Sequence, residues 1–232
     1  MKILLNHLTR MRGTRICVAG MDPTGRHVRP VTSSTRHLTR TLLTERGGPF
    51  EIGMILDLGK VAAAPSAPAT EDHRFSVTNT KQIKRLEGEE YFHLLERVAH
   101  DDLQSIFGPD LKRCKQTFAV DRGQGNASLG VLRPKRKIDL MNDRYGHLRL
   151  RFNDERPSVD LPVTDIRFVE EDHKTIKWDV VEDVRWRLHS GVHVILMVGL
   201  TRPFQVKEDD DKRHWLQVNG ICLADRPLGP RP

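Results

Sequence analysis

The sequence is poor in the side chains that carry most recognisable chemistry. It has three cysteines among 232 residues, Cys17, Cys114 and Cys222, each isolated and none in a CxxC pair. That spacing offers neither a zinc knuckle nor a disulfide framework. Cys17 and Cys222 sit in apolar runs, as buried thiols do. Aromatics make up 6% of the chain, a thin supply for stacking bases along a single strand. No G-x-x-x-x-G-K-[ST] loop is present, which argues against P-loop nucleotide hydrolysis. No G-x-G-x-x-G opens a βαβ unit, since Arg122-Gly-Gln-Gly-Asn126 has two glycines and no helical pattern after it. The opening Met1-Lys-Ile-Leu-Leu-Asn-His7 has three strong apolar residues and then turns polar. It is too short for a signal peptide or a membrane span, so a cytoplasmic protein without a membrane partner is expected.

The remaining candidates for chemistry are weak. His189 and His193 have the i, i+4 spacing of a helical metal pair, but Ser190-Gly191 lies between them and a β run follows. His93 and His100 are seven apart with no third ligand at a suitable spacing. Asp209, Asp210 and Asp211 read as a solvated hairpin tip rather than a preorganised Mg²⁺ site. Ser33, Ser34 and Cys114 have no identifiable base. No catalytic residue, metal or cofactor is assigned.

What the chain does have is positive charge in one place. Residues 1–50 carry nine Lys/Arg against two acids, Asp22 and Glu45, a local excess of seven that equals the formal net charge of the whole chain, +7. The other two stretches, 51–120 and 121–232, stand at nine against eleven and twenty against eighteen, and cancel. Such a field favours polyanions, nucleic acid first.

Hydrophobic periodicity gives mostly strands. Ile16–Ala19 and His27–Val31 form a hairpin around the turn Asp22-Pro-Thr-Gly25, with Pro30 at an edge or a strand end. Phe50–Leu58 is a strand with Gly53 as a candidate bulge. One helix is expected over 88–107, with apolar residues near the 3.6 period, Glu89 and Glu90 at its start and Gly108-Pro109 at its end. Residues 121–127 form the best internal boundary. Beyond it lie a second basic hairpin (129–140 and 147–152), strands at 161–168, 192–200 and 215–223, a loosely alternating run at 180–188, and a free Pro-rich tail. The fold class is mainly β with one inserted helix, arranged as two tandem OB-like five-stranded barrels over residues 1–122 and 123–232.

Arg15-Ile-Cys-Val-Ala-Gly-Met-Asp22 with His27-Val-Arg-Pro-Val31 resembles the start of the bacterial dual OB-fold domain family. Ser128-Leu-Gly-Val-Leu-Arg-Pro134, Leu161-Pro-Val-Thr-Asp165, Gly199-Leu-Thr-Arg-Pro-Phe204 and His214-Trp-Leu-Gln-Val-Asn-Gly-Ile221 are similar to later parts of it. The resemblance implies two tandem OB barrels and a nucleic-acid-binding role, with no established reaction. The expected contacts to a nucleic-acid backbone are Arg10, Arg12, Arg15, Arg29, Arg36 and Arg40, with Arg149 and Arg151 as a second patch. The competing account is a protein–protein adaptor within a larger complex, in which these arginines grip an acidic partner or pair with Glu45, Glu51 and Asp57; an enzyme whose site forms only in three dimensions is the third.

Overall fold

Apolar alternation and turn chemistry give fifteen strands and three α-helices among the described residues, which are 1–32, 37–135, 137–152, 158–206 and 211–229 of this computed structural model. The first sheet is built from β1 (Lys2–Arg10), β2 (Ile16–Met21), β3 (His27–Val31), β4 (Met54–Asp57), β5 (Ala62–Ala63), β6 (Asp72–Arg74) and β7 (Lys81–Arg85). Their order is β5-β6-β3-β2-β1-β4-β7, antiparallel except for β3 and β6. Helices α1 (Gly88–Val98) and α2 (Leu103–Phe107) lead to β8 (Lys112–Cys114) and β9 (Thr117–Asp121). Then come β10 (Leu129–Leu132), β11 (Ile138–Asn142), β12 (Leu148–Phe152), β13 (Val159–Pro162), α3 (Trp178–His189), β14 (Val194–Leu200) and β15 (Arg213–Leu223). A second sheet has the order β10-β14-β15-β9-β8, and β11-β12-β13 form a third.

The mainly-β class is as the sequence predicts. The finer expectation of two five-stranded barrels is not met as such: the described residues form three sheets and no closed barrel. Strand pairing crosses the expected boundary between residues 1–122 and 123–232. β8 and β9 precede residue 122, yet β9 pairs with β15, as Arg213↔Asp121 and Trp215↔Ala119. Asp121 fastens this corner, bonding Lys112 at 2.7 Å and Arg213 at 3.0 Å. The glycine-rich 121–127 segment therefore joins two strands of one sheet.

The expected helix over 88–107 is two helices, because a strand takes the backbone between them. His100 N donates to Val131 O at 2.9 Å, and Arg133 N donates to His100 O at 2.8 Å, so residue 100 lies alongside β10 and cannot continue α1. Asp102 then caps α2, its Oδ1 accepting from Ser105 N at 2.8 Å. The run 180–188, expected to alternate loosely, is helical in α3: Val181, Val184 and Leu188 are its buried residues, spaced i, i+3, i+7. Pro30 is not on a sheet edge, since β3 lies between β2 and β6. The β2 pairing ends at Val28, while Arg29 N and Phe75 N bond across to Glu71 O and Val31 O, so the missing amide hydrogen of Pro30 breaks no rung. The C-terminal tail is docked as far as residue 229, with Leu228 O accepting from Arg167 Nη1 at 2.9 Å and Leu228 packed on the first core.

Two apolar clusters fill the interior. One collects Leu5, Val18, Leu56, Tyr91 and Leu95 with Val131, Met197 and Cys222 from the second sheet; the other lies among the second and third sheets and α3. The first sheet is thus packed onto the second. Backbone bonds extend the seam: Arg10 N to Thr164 O and Thr164 N to Val218 O, both 2.9 Å. Beside them Asp165 and Arg167 form a fully buried pair, Nη2 to Oδ2 2.5 Å, with Arg167 also donating to Ile221 O at 2.9 Å. The charges raise the Arg167 pKa against the opposing effect of burial.

Candidate nucleic-acid interface

The structure separates the eight arginines singled out in the sequence. Arg12 and Arg15 lie on the β1–β2 connection, exposed, with no carboxylate partner among the described residues. Arg10 is half-buried, its Nη1 donating to His173 O at 2.8 Å. His173, at φ 60°, returns a ring contact to Met11 O at 3.1 Å, so the 170–175 loop buttresses the β1–β2 connection. Arg40 is buried, donating to Glu170 O at 3.2 Å and pairing with Glu45 at 3.5 Å. That is one of the internal pairings the sequence left open, and it removes Arg40 from direct backbone contact. Arg36 lies outside the described residues.

Arg29 is also withdrawn from the surface, at 5% exposure. Its side chain is held where β3 and β6 meet the segment after β14. Nε donates to Asp72 Oδ1 at 2.6 Å, and Asp72 Oδ2 accepts from Arg202 Nη2 at 2.6 Å, joining β3 and β6 to the segment after β14. The neighbouring acids raise the Arg29 pKa although burial opposes them, so Arg29 is a structural cation here. Next to it, His7 Nδ1 is 3.2 Å from Asn219 Nδ2, and the His7 and His27 rings stand edge to face at 5.2 Å. Burial holds both imidazoles well below their usual pKa, His27 at about 4, with His100 adding to the effect on His27.

Arg149 and Arg151 lie on β12, the middle strand of the third sheet. Arg151 makes a two-pronged bond to Asp160, 2.8 Å at each prong, and Arg149 Nη2 donates to Asp160 O at 2.8 Å. Both are committed to β13, but only Arg151 is neutralised there, because Arg149 bonds a carbonyl and keeps its charge.

A different basic and aromatic surface is built from residues that the sequence shows only separately, as large aromatics outside the core patterns and as the basic face of the second hairpin. Tyr145, Trp178 and Trp186 are 68%, 47% and 64% exposed. Arg144 lies 4.7 Å over the Tyr145 ring and Arg187 5.9 Å from that of Trp186, within cation–π range. α3 runs antiparallel along β11: Arg185 Nε donates to Leu140 O at 2.6 Å and His189 lies 3.4 Å from Asp139. That direction carries Trp178 towards the 143–146 turn bearing Tyr145. At the other end of α3, His189 enters a cleft of about 440 Å³ floored by Phe92 and Leu188 and lined by Arg133, Lys135, Lys137 and His193, with Glu96 as its one acid. Asp101 pairs with Arg133 at 2.7 Å and Lys135 at 3.2 Å, whereas Lys137 has no carboxylate partner among the described residues. The signal was available as the stripe Trp178, Glu182, Trp186, His189, at i, i+4, i+8 and i+11, but only once 180–188 is read as helix.

Among the described residues no group of three or more His, Cys, Asp or Glu side chains is placed to hold a metal ion, and no helix is long and apolar enough to cross a membrane. Of the acidic run at 208–211, all but Asp211 lies outside the described residues, as do Ser33 and Ser34. No curated protein matches the sequence. The sequence model of the dual OB-containing domain matches residues 1–221, nearly the whole length, and the chain belongs to that family.

Proposed function

We propose that the chain is a nucleic-acid-binding module that takes a single-stranded segment along α3 and its adjoining cleft, with the β1–β2 connection as an outlying backbone contact. OB-type domains host nucleic-acid and protein binding alike, so the family leaves both open. The observation that carries the reading is the exposure of Trp178 and Trp186 on α3 and of Tyr145 on the turn that α3 runs towards, with the last residue of α3, His189, lining a cleft that also takes Arg133, Lys135 and Lys137. Bases stack on such faces at about 1–3 kcal/mol each, and cations in the cleft meet the phosphates. Arg12 and Arg15 supply exposed charge with no carboxylate partner among the described residues.

A protein–protein adaptor is the second reading. Phe204, 47% exposed against the Trp215 ring, and Val206, 56% exposed, are apolar surface, and the cations nearest in the fold, Arg202 and Arg213, are already paired with Asp72 and Asp121. Fluorescence anisotropy separates the two. Labelled single-stranded RNA, single-stranded DNA and duplex are titrated at low and moderate salt, with wild type and a Tyr145/Trp178/Trp186→Ala variant. The proposal expects salt-sensitive binding of a single strand that the triple variant loses by more than tenfold while remaining folded. Absence of binding at low salt, or unchanged binding by the variant, rejects it and leaves the adaptor.

A further inference from the structure

A separate cavity of about 440 Å³ opens where β3 and β6 meet the segment 126–129. Buried Val28 and Leu129 give it apolar walls, and exposed Thr70 and Asn126 stand at its mouth. Two polar side chains line it with an atom left over. Glu71 is 8% exposed. Its Oε1 accepts from Ser128 N at 3.1 Å and Ser128 Oγ at 2.5 Å, while Oε2 has no hydrogen-bond partner. Nε2 of His27 is buried and equally unpartnered. A buried carboxylate oxygen without a donor is costly, and one that lines a cavity can be satisfied by what enters it.

The charges around the cavity narrow the ligand. Glu71 and Asp72 are balanced by Arg29 and Arg202, the latter pair meeting Asp72 at 2.6 Å each, Asp22 is paired with Arg26 at 3.0 Å, and the ammonium of Met1, which also lines the cavity, is paired with Asp57 at 3.4 Å. His27 titrates at about 4 because it is buried, so its ring is neutral near pH 7. The deficit is therefore a hydrogen bond rather than a charge: one neutral N–H for Glu71 Oε2, and a partner for a neutral imidazole nitrogen, which donates or accepts according to tautomer. Apolar walls on a small polar pocket suit a flat heterocycle.

We propose that this cavity is a subsite for one nucleobase bearing an exocyclic amino group, which donates its N–H to Glu71 Oε2 while a ring edge meets His27 Nε2. The assignment rests on the nucleic-acid-binding reading and adds a base-selective site to it. The site is braced before any ligand arrives, since Glu71 holds Ser128 and Thr70 Oγ1 donates to Asn126 O at 2.6 Å, fixing the 126–129 segment to the first sheet.

The test compares adenosine with purine riboside, which differs only in lacking the amino group, by calorimetry on the wild-type chain. Adenosine is expected to bind at least tenfold more tightly. Equal binding of the two, or no binding of adenosine, cytidine or guanosine, overturns the subsite. His27→Leu leaves the Glu71–Ser128 bonds in place and is expected to weaken adenosine at least threefold with its melting temperature little changed; unchanged affinity counts against the proposal. The outcomes stay distinct from those of the wider reading: if single-stranded RNA binds and nucleosides show no amino preference, only the subsite falls. If no nucleic acid binds, the wider reading falls, whatever the nucleosides do.

Discussion

Nδ2 of Asn219 lies 3.2 Å from Nδ1 of His7, a bond that spans 212 residues of chain and crosses the seam between the first and second sheets. Oδ1 of Asn219 accepts from Gln217 Nε2 at 2.8 Å, so its amide nitrogen is the donor and His7 Nδ1 the acceptor. That fixes His7 as the neutral tautomer protonated on Nε2. Protonating Nδ1 would set two donors face to face, beside Arg29 and His27, whose charges already depress the His7 pKa after the larger effect of burial.

The seam should therefore weaken in mild acid. Both His7 and His27 have folded pKa values below the ordinary histidine value of about 6.5, so the unfolded chain binds protons that the folded one does not. Stability is full above about pH 6.5 and falls progressively as pH drops below it, down to about 4 for His27. His27 alone accounts for about 3 kcal/mol over that window, at about 1.4 kcal/mol per unit. Carboxylates with lowered values, such as Asp172 at about 2, lose stability only nearer pH 4 and below, so the interval from 6.5 to 4.5 isolates the histidines. Urea midpoints at pH 7, 6, 5 and 4.5 should decline, and less so in His27→Gln. A flat profile would contradict the buried neutral pair.

Asp72 should be the most sensitive residue of the Arg29–Asp72–Arg202 chain. Removing it leaves Arg29, whose side chain is 6% exposed, as an unpaired buried cation. Losing one partner of a buried pair costs about 3–5 kcal/mol. Arg202 is half-exposed and can turn to water, so Arg202→Ala should cost no more than about 1 kcal/mol. Denaturant unfolding of the two variants checks the order. Equal losses would mean that the pair is not desolvated as described.

Gly130 lets α2 approach β10. A Cβ there would come within 2.2 Å of Ile106 Cγ2. Gly130→Ala should destabilise the chain by about 1–3 kcal/mol through overpacking, and Ile106→Ala should cost its own lost burial. Combined, the two should cost clearly less than their sum, because the second truncation clears the clash. Additive losses in a thermal-unfolding cycle would place the strain elsewhere.

Local chemistry was legible where neighbours in sequence are neighbours in space. Asp22-Pro-Thr-Gly25 forms its turn, with Thr24 N bonded to Asp22 Oδ1 at 2.9 Å and Gly25 at φ +85°, and both facts follow from residue types. The break at His100 was not legible, because it is imposed by the strand at 129–132. The division of the arginines was hidden for the same reason. Arg29 and Arg12 look alike in the sequence, and only the parallel pairing of β3 with β6, which brings Asp72 to Arg29, tells them apart. The aromatic surface failed at an earlier step. Val180, Val184 and Leu188 fit a loose alternation as well as a helix, and only the helical reading puts Trp178 and Trp186 on an outer stripe.

The arginines that remain free should act on salt dependence rather than on base preference. Arg12 and Arg15 have exposed guanidinium groups, no carboxylate partner among the described residues, and a connection held in place by His173. Each phosphate contact to a single strand contributes about 0.7 to the slope of log affinity against log salt. An Arg12/Arg15→Ala variant should therefore lower that slope by between one and two, with the ranking of sequences unchanged. Arg40→Met is the matched control: it removes one positive charge of the same region, but the group is buried against Glu45 and Glu170 O, so its slope should stay that of wild type provided the fold survives. Anisotropy at four salt concentrations, with circular dichroism on every variant, reads both. A slope change in Arg40→Met equal to that of the double variant would mean that net charge alone matters, and the β1–β2 connection would lose its place as a contact. An unchanged slope in Arg12/Arg15→Ala, with single-strand binding intact, would assign all of the backbone contacts to the cleft lined by Arg133, Lys135 and Lys137.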